Sequence, residues 1–172
     1  MVAGKNQRGD AIMRVGLEVL KLNKKLYDKE MLRRVIDNTL TAVARDIKID
    51  LGVVTQTWDH KPKFTIGLSG RNARTITTDD KPYYWLNKGT PAHIIRAKNV
   101  PRLAFQTGYT AKTQPQLLAS RPGGASGPVV YKRVVNHPGI AARQFDRVTK
   151  EKWDRLLPGI FERALLSEIP TG

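Results

Sequence analysis

The apolar positions of this chain form two helical stripes separated by a long stretch of short, strand-like runs. The clearer stripe is Leu32, Ile36, Leu40 (with Thr39), Val43 and Ile47, with Arg33, Arg34, Asp37, Arg45 and Lys48 on the other faces. Asp28 supplies an N-cap, Glu30 suits the positive end of the helix dipole and Gly52 is placed to end it, so one amphipathic helix is predicted over 29–50. The second stripe is Phe145, Val148, Trp153 (with Lys152), Leu156, Ile160, Phe161 and Leu165. It predicts a C-terminal helix from about residue 141, broken or kinked near Leu157 by Pro158 and Gly159. Before the first helix the pattern is double: Val15, Leu17 and Val19 alternate as in a strand, while Ile12, Val15, Val19, Leu22 and Leu26 also fit a helix. Gly16 tips the reading toward a strand that turns into a helix near Asn23.

From Val53 the period changes to two. A strand is predicted up to Trp58, a turn over 59–62 and a second strand over 63–68, paired as an antiparallel hairpin. Residues 69–72 read as a turn and 75–78 as a short threonine-rich strand. Tyr83, Tyr84, Trp85 and Leu86 form an aromatic block closed by Gly89, Thr90 and Pro91, and its composition suits core or subunit packing ahead of base stacking. Ile94–Ile95 and 103–105 are further short strands. Residues 107–127, TGYTAKTQPQLLASRPGGASG, lack periodicity, and so long a run inside one domain reads as a flexible or partner-ordered loop. Residues 129–135 predict a strong strand, and Asn136-His137-Pro138-Gly139 a tight turn. The sum is an α+β domain: an antiparallel sheet flanked by a long helix in the N-terminal half and a C-terminal helix, with a long basic loop.

The length of 172 residues suits a single domain spanning 1–172, with 1–10 as a loose arm. No run of 18 apolar residues marks a membrane span, and MVAGKNQRGD has no apolar core of a secretory leader, so neither is expected. Zero cysteines exclude disulfides, thiolate nucleophiles and Cys-held metal. Charge changes the picture most. The chain carries 30 Lys+Arg against 15 Asp+Glu, and the excess is concentrated: residues 81–145 hold ten bases and no acid, where an even spread would place about six. An anionic partner is therefore expected to meet the middle third, with Lys88, Arg96, Lys98, Arg102, Lys112, Arg121, Lys132 and Arg133 as its electropositive surface. Spread over loops and strands, these residues suit contact with a phosphate backbone rather than base reading.

Catalytic chemistry is not expected. There is no phosphate-cradling glycine loop, no GxSxG elbow and no HExxH. His60, His93 and His137 are scattered, with His137 before Pro-Gly suited to a turn. Asp79–Asp80 sit at a loop edge beside a lysine, and Asp46 and Asp50, four apart on one helix face, are flanked by Arg45 and Lys48. No metal site and no cofactor follow from these residues. Zinc fingers, RNP-like strands and basic zippers are absent as well.

The order of motifs carries one resemblance. TWDHKPKFTI (57–66), YYWLNKGTPAHII (83–95) and VVNHPGIAARQF (134–145), framed by two helices, resemble the tail-completion, or tail-component, neck proteins of long-tailed bacteriophages, the lambda Z-like group. The residues that carry it are Tyr84, Trp85 and Gly89 and the strand–turn–helix element of His137, Pro138, Gly139 and Phe145. The resemblance implies a virion structural protein of the head–tail neck, made in the host bacterial cytoplasm, that completes the tail and helps to join it to the head connector. It implies a homo-oligomeric ring, a hexamer, around the DNA channel, next to tail-terminator, tail-tube or head-connector proteins. It assigns His137, Pro138 and Gly139 to setting the start of the last helix and Phe145 to anchoring it. The other reading of the residues is a small, sequence-independent nucleic-acid-binding protein.

Overall fold

Asp28 starts the longest element of the chain. Its carboxylate accepts the Glu30 and Met31 N–H groups, each at 3.1 Å, and the helix α1 that follows runs Lys29–Val54. The computed structural model describes residues 11–16, by their backbone, and 28–168. The predicted loose arm over 1–10 and the helix expected near Asn23 lie outside the described residues.

α1 does not stop at Gly52, and the strand predicted over 53–58 is replaced by its last turn. The reason is burial: Ile47, Leu51, Val54 and then Trp58 keep facing the core at helical spacing. A glycine in a helix costs only about 1 kcal/mol against alanine, less than burying one of those side chains gains. Thr55 provides the stop, its hydroxyl donating to the Leu51 and Gly52 carbonyls at 3.2 Å each. The Lys61 ammonium then gathers the carbonyls of Thr55, Gln56 and Trp58 at the negative end of the helix.

The sheet beside α1 has three antiparallel strands. β1 (Ala11–Gly16) and β2 (Thr65–Leu68) lie on either side of β3 (Ala73–Thr78), in register Met13↔Ile76 and Ile66↔Ile76. The hairpin partner of β2 is thus β3, reached through a turn in which Gly70 takes φ +89°. β3 alternates strictly, burying Arg74, Ile76 and Thr78 against α1. The buried Arg74 ion-pairs with Asp37 and donates to Thr41 Oγ1 at 3.2 Å, which locks the sheet to the helix.

The aromatic block is a helix, α2 (Lys81–Lys88), capped by the Asp80 carboxylate on the Tyr83 N–H at 2.7 Å, with Pro82 in its first turn. Tyr83 points into the core and meets Phe64, Trp58 and Phe145 at ring-centroid distances of 5.2, 6.4 and 5.7 Å. Burial pushes the Tyr83 hydroxyl strongly up, with Asp146 adding to the same direction. Trp85, one turn position away, is exposed and Tyr84 half-buried.

The last helix, α3, runs Phe145–Leu166 and starts later than residue 141 because Gln144 takes a left-handed backbone, φ +58°, while the N–H groups of Arg143 and Gln144 bond the Leu86 and Asn87 carbonyls at the open end of α2. The predicted break near Leu157 is absent, and Pro158 lies inside the helix. Packing on both sides of the proline outweighs the lost hydrogen bond: Phe145, Thr149, Trp153, Leu157 and Leu165 form the buried row. Leu156, predicted in that row, faces out. α3 packs on α1, where Asp50 accepts both Trp153 Nε1 at 2.8 Å and Lys152 Nζ at 2.7 Å. The arrangement is α+β.

Phe145 is fully buried against two rings, Trp58 and Tyr83, at the first residue of α3. Truncation in Phe145→Ala is expected to cost about 3–5 kcal/mol, read as a lowered midpoint in denaturant or heat, with near-UV dichroism lost before far-UV dichroism. A loss under 1 kcal/mol would show that the aromatic cluster does not hold α3.

Candidate polyanion-binding arm

Between α2 and α3 the chain leaves the body as one long, interrupted antiparallel hairpin. Its root is a backbone crossing. Thr90 and Ile140 exchange both N–H···O bonds, at 2.9 and 3.0 Å. Beside them Gly89 and Gly139 both take left-handed φ, +78° and +87°, and each lies flat on the opposite strand. A Cβ on Gly139 would stand 2.3 Å from the Thr90 carbonyl oxygen, and one on Gly89 2.7 Å from that of Ile140. The two glycines of the neck-protein resemblance therefore have a physical task here.

Outward from the root, β4 (His93–Arg96) pairs with β9 (Val134–His137), then β5 (Leu103–Gln106) with β8 (Val129–Lys132), then β6 (Tyr109–Thr110) with β7 (Gly124–Ala125). The strand predicted over 129–135 is thus two strands, divided at Arg133. Its halves serve different ladders because 97–102 bend out of line on the opposite strand. The stretch 107–127, read as lacking periodicity, is the outer part of this hairpin, ending in a Thr113↔Ser120 bridge. Gly127 lies against Thr107 and Gly123 against Thr110, close approaches that only glycine allows. The end of the hairpin returns to the body: the Gln116 N–H donates to the Arg143 carbonyl at 3.1 Å, and Ser120 Oγ to that of Val53 at 2.9 Å.

The eight predicted cations divide into two groups. Three are engaged within the molecule. Lys88 pairs with Asp146 at 3.1 Å, Lys112 grips Asp59 with both carboxylate oxygens near 3 Å, and Arg121 Nε holds the Ala111 carbonyl at 3.0 Å. Lys112 keeps the Asp59 carboxyl below its ordinary range, chiefly through the hydrogen bond and then through its charge. The other five gather at the bend between the first two ladders: Arg96 ends β4, Lys98 and Arg102 lie in the bend, and Lys132 and Arg133 close β8 and its connection to β9. The backbone ties them together through the Arg96↔Val134 and Leu103↔Lys132 registers and the Ala97 N–H to Arg133 carbonyl bond at 3.0 Å. All five are exposed, and none has an ion pair or side-chain hydrogen bond among the described residues. Five cations, unpaired among the described residues, are thus held close together by a paired backbone.

His93 and His137, apart in sequence, are cross-strand partners and stack at 4.9 Å. His93 Nδ1 donates to the Pro91 carbonyl at 2.9 Å, and His137 Nδ1 accepts the Gly139 N–H at 3.0 Å. The tight turn predicted over 136–139 is instead the end of β9, because Asn136 and His137 pair with Ile94 and His93 and the chain runs on to the Ile140 bridge. Asp50, four residues from Asp46 on the same helix, is the clamp between α1 and α3. Among the described residues no group of three His, Cys, Asp or Glu has metal-site geometry, and no helix is long and apolar enough to cross a membrane. A groove of about 1050 Å³ between the start of α1 and the β2–β3 turn is lined by Lys29, Arg33, Arg34, Arg71 and Arg74. Its Arg33, Arg34 and Arg74 are already paired, with Glu30, Glu168 and Asp37. Comparison with protein-family models, curated proteins and solved structures finds no match to the chain.

Asp146 links this arm to the body. Burial raises its carboxyl, but the Asn87 amide, Lys88 and the Arg147 N–H together hold it below its ordinary value of 3.8. A depressed folded-state value means the contribution is complete at neutral pH and fades only as pH falls below about 4. In Asp146→Asn the loss of stability between about pH 4 and pH 2 should be shallower than in the native chain, followed by thermal unfolding at each pH. Equal slopes would remove Asp146 from the acid transition. At the root, Gly139→Ala should destabilise by about 1–3 kcal/mol and expose amides of β4 and β9 to hydrogen exchange while α1 stays protected.

Proposed function

We propose that the chain is a virion structural protein of the head–tail neck, which assembles as a ring, completes the tail and helps to join it to the head connector. The basic bend of its arm meets the packaged DNA through phosphate contacts. The observation that carries this reading is the set of five unpaired cations, Arg96, Lys98, Arg102, Lys132 and Arg133, on an acid-free arm. A channel for DNA of any sequence needs positive charge without base-edge readers, and the arm has that composition. Two further features support assembly. The ladders of the arm are two-stranded and leave Ile94, Val129, Tyr131 and Val134 exposed, whereas isolated two-stranded ribbons are only marginally stable in water. The place of Gly139 in the crossing ahead of α3 and the burial of Phe145 are in keeping with the tasks that the phage resemblance assigns to those two residues. Its partners in this reading are further copies of itself, a hexamer, together with tail-terminator, tail-tube or head-connector proteins, and its location is the virion.

The same five cations also suit a free-standing, sequence-independent nucleic-acid-binding protein, and self-assembly separates the two. Light scattering at low and high salt should give a discrete hexamer-sized species, or rings that grow with concentration. Binding to duplex DNA of unrelated sequences should fall with salt at a log–log slope of about −4 to −5 per arm, the value for five phosphate contacts. Lys132→Glu with Arg133→Glu should lower that slope by about 2 and leave the thermal midpoint unchanged. A chain that stays monomeric at every concentration yet binds DNA with the full slope would support the nucleic-acid-binding reading instead, and an unchanged slope in the double variant would remove the bend as the contact surface.

A further inference from the structure

We infer that the uncovered face of the arm docks on α1 of a second copy, at the stripe Asp46–Ile49–Val53, in a head-to-tail contact. The inference rests on the assembly reading above and names the surfaces that would build it. On the β4–β9 ladder, cross-strand partners and residues two apart share a face, so Ile94, Arg96, Val134 and Asn136 stand together on one side. Ile94 is 56% exposed and Val134 42%, and no described part of the chain covers them. The opposite side, with His93, His137, Ile95 and Val135, is the less exposed one.

Charge decides what can lie on that face. Residues 81–145 contain no acid, so a symmetric arm-to-arm contact would bring two wholly cationic surfaces together. A nucleic-acid backbone would satisfy Arg96 but would leave Ile94 and Val134 in water. The partner must therefore offer apolar surface and an unspent carboxylate side by side, and the body of a second copy offers both. On α1, Asp46, Ile49 and Val53 follow at steps of three and four, so they form one stripe turned away from the buried row. Ile49 is 63% exposed and Val53 43%, and Asp46 is exposed with no partner among the described residues. Of the other large apolar groups exposed on the body, Leu68 borders the basic groove with Arg71 and Arg74, Trp85 lies in the acid-free segment, and Leu156 follows Asp154, which pairs with Lys150. Leu166 has the Glu162 carboxylate one turn away but is a single apolar group, where the α1 stripe offers two for Ile94 and Val134. Arg45 borders the stripe on one side, while Asp50, tied to Lys152 and Trp153, borders it on the other. Because the donor face and the acceptor face differ, the contact repeats from copy to copy and closes only as a ring.

Two variants of the full chain test this pairing. Asp46→Arg with Ile49→Arg removes the α1 stripe, and Ile94→Lys with Val134→Lys removes the arm face without creating a charge that complements the first. All four positions are exposed, and far-UV dichroism and the thermal midpoint check that each variant folds. Should the lysine pair disturb the ladder, Ile94→Ser with Val134→Ser takes its place. Each variant alone is expected to lose self-association about 10–100-fold. An equimolar mixture retains one good interface, the intact arm of the first variant on the intact stripe of the second, and is expected to stop at a dimer by light scattering. A native chain that never self-associates would overturn the assembly reading and this inference with it. A native chain that assembles while the stripe variant assembles equally well, or a mixture that stays monomeric, would overturn this inference alone.

Discussion

The arm depends on the place where Gly89 and Gly139 let two strands touch. With the Thr90 and Ile140 bonds drawn this close, no side chain fits between the strands, and both glycines need a backbone conformation that other residues adopt only under strain. A few residues further along the same two segments, Leu86 and Asn87 receive the N–H groups of Arg143 and Gln144, and the Asn87 carbonyl oxygen of the side chain accepts the Asp146 N–H at 3.3 Å. Gln144 sits at φ +58° without a capping bond of its own, so Asn87 supplies the cap of α3 from across the junction. Separating the strands at the root by the width of a methyl group would withdraw these donors and disturb Phe145. The direction of the arm and the packing of the core are thus set by one crossing.

From that crossing follow two kinds of surface with different rules. The body holds many of its charges in pairs: Arg74 with Asp37, Lys152 with Asp50, Arg147 with Glu151 and Lys150 with Asp154. The exposed pairs contribute little each, while the Arg74 guanidinium is buried and ties the sheet to the exposed Asp37 on the helix. The bend of the arm keeps its five cations unpaired among the described residues, and its ladders are uncovered. Its end is held down by Lys112 on Asp59 and by Ser120 on Val53, so the open part is the stretch between two anchors. Fixing both ends lowers the ordering cost that a free hairpin of this length would meet on binding. An arm of this kind presents a preformed face.

How much of this was legible in the sequence depended on whether a segment's local pattern and its tertiary role agreed. They agreed in α1, whose cap and stripe both point to a helix, and in β1, β2, β4 and β5, whose short alternating runs are strands in place. They disagreed at 53–58, where Val54, Thr55 and Thr57 favour a strand locally but Val54 and Trp58 continue the helical row into the core. At Pro158 a strong local breaker was overridden by Leu157 and Leu165 packing on either side. The split at Arg133 was hidden because 129–135 alternates without interruption, and only the bend on the opposite strand assigns its halves to different partners. Glycine explains the reading of 107–127: Gly123 and Gly127 looked like loop residues, whereas they are points where two backbones approach too closely for a side chain. Among the site residues, the acid-free block was visible in composition, but its division into engaged and free cations was not. That division depends on Asp59 and Asp146, both outside the block and near its members only in space.

The absence of acids from 81–145 acquires a physical sense in this geometry. An arm that leaves the body and returns to it runs past carboxylates that would capture any free cation, as Asp59 captures Lys112 and Asp146 captures Lys88. The five cations of the bend escape because the backbone pairing of β4 with β9 and β5 with β8 holds them on exposed turns and strand ends, and because no neighbour in their own segment carries a negative charge. An acid introduced into the bend would be expected to neutralise one of them locally, well inside the screening length of about 8 Å at physiological salt. Sequence composition and strand pairing therefore act together: the first removes internal counter-charges, and the second keeps external ones out of reach. What remains is a fixed positive surface without a counter-charge among the described residues.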